Sequence, residues 1–259
     1  MQLPPAPRTV LITGAYGLIG NLVYAHLAAQ PDRYTAYGMV RRNEASARVE
    51  PLELHVIPDE RLHYADLTDF AAVQRAVAGM DTVVHMAADP DGRAGWESVL
   101  NSNIIGNQHL FEACRLAGVR RVVFASTNQV VFGYRTDEPY RSLLDGQFTP
   151  IQHTQPTRPL NYYACSKVFG EALAHMYAFT HGMSCLCLRI GWVTADDRPA
   201  NAQAGPIWCS QRDIVQIVER CINAPASLRF DIFFGHSNNH PNLVDIQHAR
   251  EVLGYAPQD

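Results

Sequence analysis

A chain of 259 residues, 47% hydrophobic and 18% charged, is long enough to bury a full core, and its formal charge of −4 disfavours nucleic acid or an anionic membrane as a partner. The opening MQLPPAPRTV lacks a basic-then-apolar leader pattern, and no apolar run approaches the roughly 18 residues of a membrane span, so a cytoplasmic protein is expected. Six cysteines without a CxxC pair or zinc spacing, and eleven histidines without an HExxH motif, make a reduced protein without a metal the expectation.

Apolar runs alternate with helical periodicity from the start. TVLIT (9–13) reads as a short buried strand, followed by a helix over about 17–30 that stops at Pro31. YTAYGMV (34–40) and RLHYA (61–65) read as the second and third strands. A helix over 68–79 takes Thr68 as its N-cap, and DTVVHMAA (81–88) is the fourth strand. A long helix over about 95–117 ends at Gly118, and RRVVFAS (120–126) is the fifth strand. This rhythm means parallel strands joined by right-handed crossovers, an α/β doubly wound sheet of the Rossmann type. Residues 134–160 break it and read as a long functional excursion. A helix from about 161, strand CLCLRI (185–190), a second irregular stretch, helix 210–223, strand RFDIFF (229–234) and a final helix ending in AREVLGY complete the chain. Cys185 and Cys187 share one face of their strand and are expected in the core. No linker divides the chain, so one nucleotide-binding domain over 1–259 is expected, its small substrate lobe built mainly by 134–160 and 191–245.

TGAYGLIG places Gly14, Gly17 and Gly20 between the first strand and the first helix. Gly14 suits the tight turn, Gly17 the approach of backbone to a pyrophosphate, and Gly20 the close packing of helix on sheet. The phosphates would meet free N–H groups and the positive end of the helix. Tyr16, Leu18 and Ile19 belong to the same cradle. An NAD site is expected to carry an acid at the end of the second strand, where this chain has Arg41 and Arg42. Two guanidiniums there suit a 2′-phosphate, so NADP(H) is favoured; NAD(H) stays open through Glu44. Asp66 is placed to contact the adenine edge, with Leu67 beside it, and Ala87 and Ala88 follow the fourth strand.

Of 21 basic residues, only Lys167 is a lysine. A surface charge or an ion-pair partner could be arginine; a compact ammonium whose ionisation couples to a neighbour could not. Tyr163 lies four residues upstream, on the same helical face. A phenol with a pKa near 10 needs help to accept a proton near neutral pH, and a nearby ammonium together with an oxidised nicotinamide would lower it.

TGxxGxxG at the N-terminus with Tyr-x-x-x-Lys in the middle resembles the extended short-chain dehydrogenase/reductases. DTVVHMAA, NIIGNQHLFEACRLAGVRRVVFAST, PLNYYACSKVFGE, RIG and AREVLGYAP follow in that family's order. RVVFASTN, YYACSKVFGEALAHMY and RIGW look most like the short uronate dehydrogenases and related sugar dehydrogenases, including those of glucose 6-phosphate. The resemblance implies Tyr163 as general base or acid and Lys167 as a donor to the nicotinamide ribose. It implies Thr127 as donor to the reacting oxygen, with Ser126 turned away. Asn103 matches a helix-borne asparagine near the active site, assigned to the cofactor, and Asn128 a sugar-binding asparagine; Asp89 joins it on the substrate side. Trp192 stands where uronate dehydrogenases carry the serine of RIGS, and their arginine shortly before Trp208 is missing, which points to a substrate that is neutral or differently charged.

The expected activity is NAD(P)-dependent oxidation of a sugar-like small molecule at its anomeric carbon to a lactone. An epimerase or carbonyl reductase is the alternative enzyme, and a non-catalytic NADP-binding regulator the alternative of another class. The resemblance also allows a homodimer paired through helices 95–117 and 161–180.

Overall fold

A computed structural model describes residues 7–50 and 52–259; most of the opening segment read above for a leader lies outside the described residues. Seven parallel strands form one sheet in the order β3-β2-β1-β4-β5-β6-β7. They are β1 (Arg8–Thr13), β2 (Tyr34–Val40), β3 (Leu62–Tyr64), β4 (Thr82–His85), β5 (Arg121–Thr127), β6 (Ser184–Ile190) and β7 (Phe230–Gly235). The chain turns back between β1 and β4, which makes their C-terminal ends the topological switch point of a Rossmann fold, where such sheets bind ligands. β5 and β6 are buried along their whole length, as strands covered on both faces must be.

Helices α1 (Leu18–Ala28) and α6 (Gln211–Asn223) cover one face of the sheet. The other face is covered by α2 (Phe70–Val77), α4 (Gly106–Leu116) and α5 (Tyr162–His181); Cys185 and Cys187 lie in that core. A short α7 (Gln247–Leu253) packs on β7. Among the described residues, no helix is long and apolar enough to cross a membrane.

Several boundaries differ from the sequence expectation. Asp69, not Thr68, caps α2 by accepting from the Ala72 amide at 3.0 Å, while the Thr68 hydroxyl donates to Asp66 at 2.7 Å. The fourth strand stops at His85, because the Ala87 amide turns to donate to the Thr13 hydroxyl instead of continuing a ladder. The helix expected over 95–117 is α3 (Trp96–Val99), a π-helical turn (Leu100–Ile105) and α4 in sequence.

The excursion after β5 starts as a 3₁₀ segment (Asn128–Thr136) and continues through a second one (Tyr140–Asp145). Val130, Val131, Leu143 and Ile151 pack with Ile207, Phe234, Leu243 and Val244 in a third apolar cluster. A buried ion pair ties this layer to the sheet. Arg189 on β6 donates to Glu171 of α5 at 2.8 and 2.9 Å and to the His153 carbonyl at 3.1 Å.

Candidate active site

A cleft of about 1390 Å³ opens over the C-terminal ends of β1, β2, β4, β5 and β6. Single-ligand pockets occupy about 300–1,000 Å³, so this one has room for a large cofactor with a second small molecule. It is lined by Gly14, Tyr16, Gly17, Leu18 and Ile19 from the first turn, and by Arg41, Arg42, Asp66 and Leu67 from the ends of β2 and β3. Ala87, Ala88, Asp89, Thr127, Asn128, Tyr163, Lys167 and Trp192 line the rest.

The Gly14 turn has φ +66°, and a Cβ there would stand 2.9 Å from the Ala87 amide nitrogen. β1 and the segment after β4 therefore close together only around a glycine. α1 starts at Gly17 without a side-chain cap, and the Leu18 and Ile19 amides have no acceptor among the described residues. Free amides at a helix start favour an anion. At the other end of the cradle, Arg41 lies 4.0 Å from Asp66; Arg41 is exposed and Asp66 partly buried. The Thr68 amide and hydroxyl bonds, with Arg41, hold the Asp66 carboxyl below the usual range.

α5 carries the central pair because its N-terminus is fixed. Asn161 caps it, accepting from the Ala164 amide at 2.7 Å and donating to Gln129 at 3.0 Å. Tyr163 and Lys167 then face the cleft, 9% and 2% exposed, whereas Tyr162 is turned outward at 55%. Gly170 lies directly on Phe124 of β5, where any Cβ would strike the ring. Phe124 can in this way lie beneath Lys167, whose Nζ sits 5.0 Å from its centroid and 5.6 Å from that of Tyr163. The ammonium has no hydrogen-bond acceptor among the described residues. Burial lowers its pKa to about 7. An orphaned donor of this kind, facing the cleft, fits a ligand with hydroxyl acceptors such as a nicotinamide ribose.

Burial also raises the Tyr163 phenol above its ordinary value, and the nearby Asp89 charge acts in the same sense; the Thr127 hydrogen bond and the Arg48 charge pull it back. Desolvation therefore dominates the phenol, and the positive charge of a bound oxidised nicotinamide would act against it. The lowering expected from the sequence requires an oxidised nicotinamide beside the ammonium.

The two hydroxyls at the end of β5 have different partners. Ser126 donates to Glu171 at 2.6 Å, while the Thr127 hydroxyl accepts from the Gln129 amide at 3.2 Å and acts to lower the Tyr163 pKa; both residues line the cleft. Asn128 is buried, its amide 3.2 Å from His236 Nε2 and 3.4 Å from the Ile207 carbonyl. Asn103 is not part of the cleft lining. It sits at 0% exposure in the π-helical turn, donating to the Asp89 carbonyl and to Ser166 Oγ at 3.0 Å and accepting from the Asp89 amide at 2.8 Å. It therefore fixes the Asp89 turn and α5 relative to each other. Trp192 is 49% exposed on the cleft wall, so it is not a core side chain. Arg198 does not line the cleft, but it pairs at 2.7 Å with Asp196, which does.

Groups that the sequence did not single out complete the site. Neutral His85, pushed down to about 3 by burial and by Lys167, accepts from Thr13 at 2.8 Å beneath the ammonium. Arg48, Gln129, Phe132 and Arg135 line the cleft. Gln129, Phe132 and Arg135 were legible in principle, being spaced by three along the 3₁₀ segment; Arg48 lies in a loop without periodicity. Outside the cleft, His153, Asp231 and His248 come within 4.8 Å of one another, a grouping that spacing did not reveal. The two imidazoles stack 3.8 Å apart at 10°. Parallel rings hold their lone pairs in separate planes, so no single ion could lie in both as they stand.

The profile of the NAD dependent epimerase/dehydratase family matches residues 10–207. This chain belongs to that family. It is 37% identical to the NAD-dependent glucose-6-phosphate dehydrogenase of Haloferax volcanii, over 97% of this chain and 94% of that protein. Identity to the uronate dehydrogenase of Pseudomonas putida is 33%, over 96% and 84%. Among solved structures, the uronate dehydrogenase from Agrobacterium tumefaciens superposes with a TM-score of 0.79 at 32% identity, covering 98% of this chain and 85% of that one. Family membership accounts for the glycine cradle and the Tyr163–Lys167 helix occurring in one cleft, and the site takes a nicotinamide cofactor.

Proposed function

We propose that the protein is a dehydrogenase that oxidises a sugar-like substrate at its anomeric carbon to a lactone. The observation that carries this reading is the convergence of Thr127, Tyr163 and an unpaired Lys167 on one cleft next to an anion-accepting helix start. The nicotinamide ring supplies the hydride acceptor when bound. Thr127 orients the sugar hydroxyl. Tyr163 takes its proton as the C–H bond breaks and the C=O bond forms, and Lys167 favours the phenolate while holding the ribose hydroxyls. Asp89, Asn128 and Trp192 face the sugar, in a substrate lobe built by 134–160 and 191–245. Names of the relatives support NAD(H), one of them being an L-arabinose 1-dehydrogenase (NAD(P)(+)). Arg41 and Arg42, with no acid at the end of β2, support acceptance of the 2′-phosphate as well, and the cleft is proposed to use both.

Assaying aldoses, uronates and sugar phosphates with each cofactor tests this. Net reduction of external NAD or NADP with lactone formation is expected. Interconversion of sugars without net reduction would instead show an epimerase. Titration of both cofactors, repeated after Arg41→Ala with Arg42→Ala, should weaken NADP(H) and leave NAD(H) near wild type.

A homodimer is proposed on a second observation. Tyr162, Cys165, Ala172, Met176 and Phe179 form an exposed small-to-apolar stripe along α5. Phe179→Glu should shift sedimentation from dimer to monomer.

A further inference from the structure

We infer that Arg135 is the residue that selects an anionic group on the substrate, remote from the oxidised carbon. The inference rests on the sugar dehydrogenase reading and names the class of sugar. In a helix of three residues per turn, side chains at i and i+3 eclipse and each residue rises about 2.0 Å. Along the segment Asn128–Thr136, Gln129, Phe132 and Arg135 thus form one column, and all three line the cleft. The residues between them, Val130, Val131, Gly133 and Tyr134, are buried. The column starts two residues beyond Thr127, so Arg135 stands at its outer end with the body of a sugar between.

The charge of Arg135 is unanswered. No acceptor or carboxylate meets it among the described residues, and its guanidinium rests 4.9 Å from the Phe132 centroid. Burial lowers its pKa. Two acids near it in sequence or on the cleft wall are paired with other arginines: Asp137 with Arg158 at 3.6 Å, and Asp196 with Arg198 at 2.7 Å. A partly dehydrated guanidinium held against a ring and facing a cleft is built to take two oxygens of a carboxylate or phosphate. It would supply the positive charge missing from the stretch before Trp208.

The test compares glucose 6-phosphate, glucuronate and glucose with wild type, Arg135→Met and Arg135→Lys. Wild type should prefer one of the two anionic sugars over glucose, and which one distinguishes phosphate from carboxylate. Arg135→Met should lower that preference by about ten- to a hundredfold, mainly through KM; Arg135→Lys should fall between, having charge without the fork. A wild-type preference for glucose, or a preference unchanged in both variants, would overturn the assignment. Calorimetric titration of the cofactor-loaded proteins with glucose 6-phosphate and glucuronate reads the same site without turnover. If wild type oxidises none of the sugars, the dehydrogenase proposal fails. Loss of anion binding in Arg135→Met would still support the receptor, and unchanged or absent binding would overturn it.

Discussion

Lys167 Nζ lies 5.0 Å from the centre of the Phe124 ring and has no hydrogen-bond acceptor among the described residues. The protein thus holds its sole lysine in a place that disfavours the charge, with an aromatic face as the main compensation. Folding depresses its pKa from 10.5 to about 7. Between those values the unfolded chain binds a proton that the folded chain does not, so stability rises with pH. Relative to Lys167→Met, the cofactor-free wild type should gain thermal stability from pH 7 to about 9, below the range where tyrosines titrate. A difference independent of pH in scanning calorimetry would contradict the depressed ammonium.

On the proposed mechanism, Tyr163→Phe removes the proton acceptor and leaves the helix and the cradle in place. Turnover should fall about 10²–10⁴-fold with cofactor Kd close to wild type. Retention of a tenth of the wild-type kcat would exclude Tyr163 as the base.

Arg48 offers a finer test of the same phenol. Its guanidinium, anchored by a bond to the Pro90 carbonyl at 3.3 Å, lowers the Tyr163 pKa. Arg48→Met should therefore move the rising limb of the pH–rate profile to higher pH, by less than about one unit because the residue is exposed to solvent screening. An unmoved limb would place Arg48 outside the field of the phenol.

The Arg189–Glu171 pair predicts a loss of stability separate from chemistry. Glu171→Gln leaves a guanidinium at 3% side-chain exposure without its counter-charge. Removing one partner of a buried pair costs about 3–5 kcal/mol, while replacing both by Met should recover much of it. Chemical denaturation of the single and double variants measures both.

What could be read from the chain alone was local. Gly14, Gly17 and Gly20 state a turn and a helix start within seven residues, and Tyr163 and Lys167 share a face by spacing, so both needed only the geometry of one element. Asn103 was visible as a residue but not as a clasp, since its partners Asp89 and Ser166 come from other elements and nothing in LNSNII announces a π-helical turn. Arg48 and the His153–His248 stack depend on where loops close over the sheet, which hydrophobic periodicity does not encode. The cap of α2 fell one residue from its expected place because Asp69 accepts from the Ala72 amide, while the Thr68 hydroxyl is turned to donate to Asp66.

The single lysine has a practical corollary. Lys167 carries the chain's only side-chain primary amine. With its proton lost near pH 7, that amine is nucleophilic under mild conditions, and it opens onto the cleft. A small acylating or aldehyde reagent would thus have one internal target, and the rate of labelling there would report occupancy of the cleft by dinucleotide.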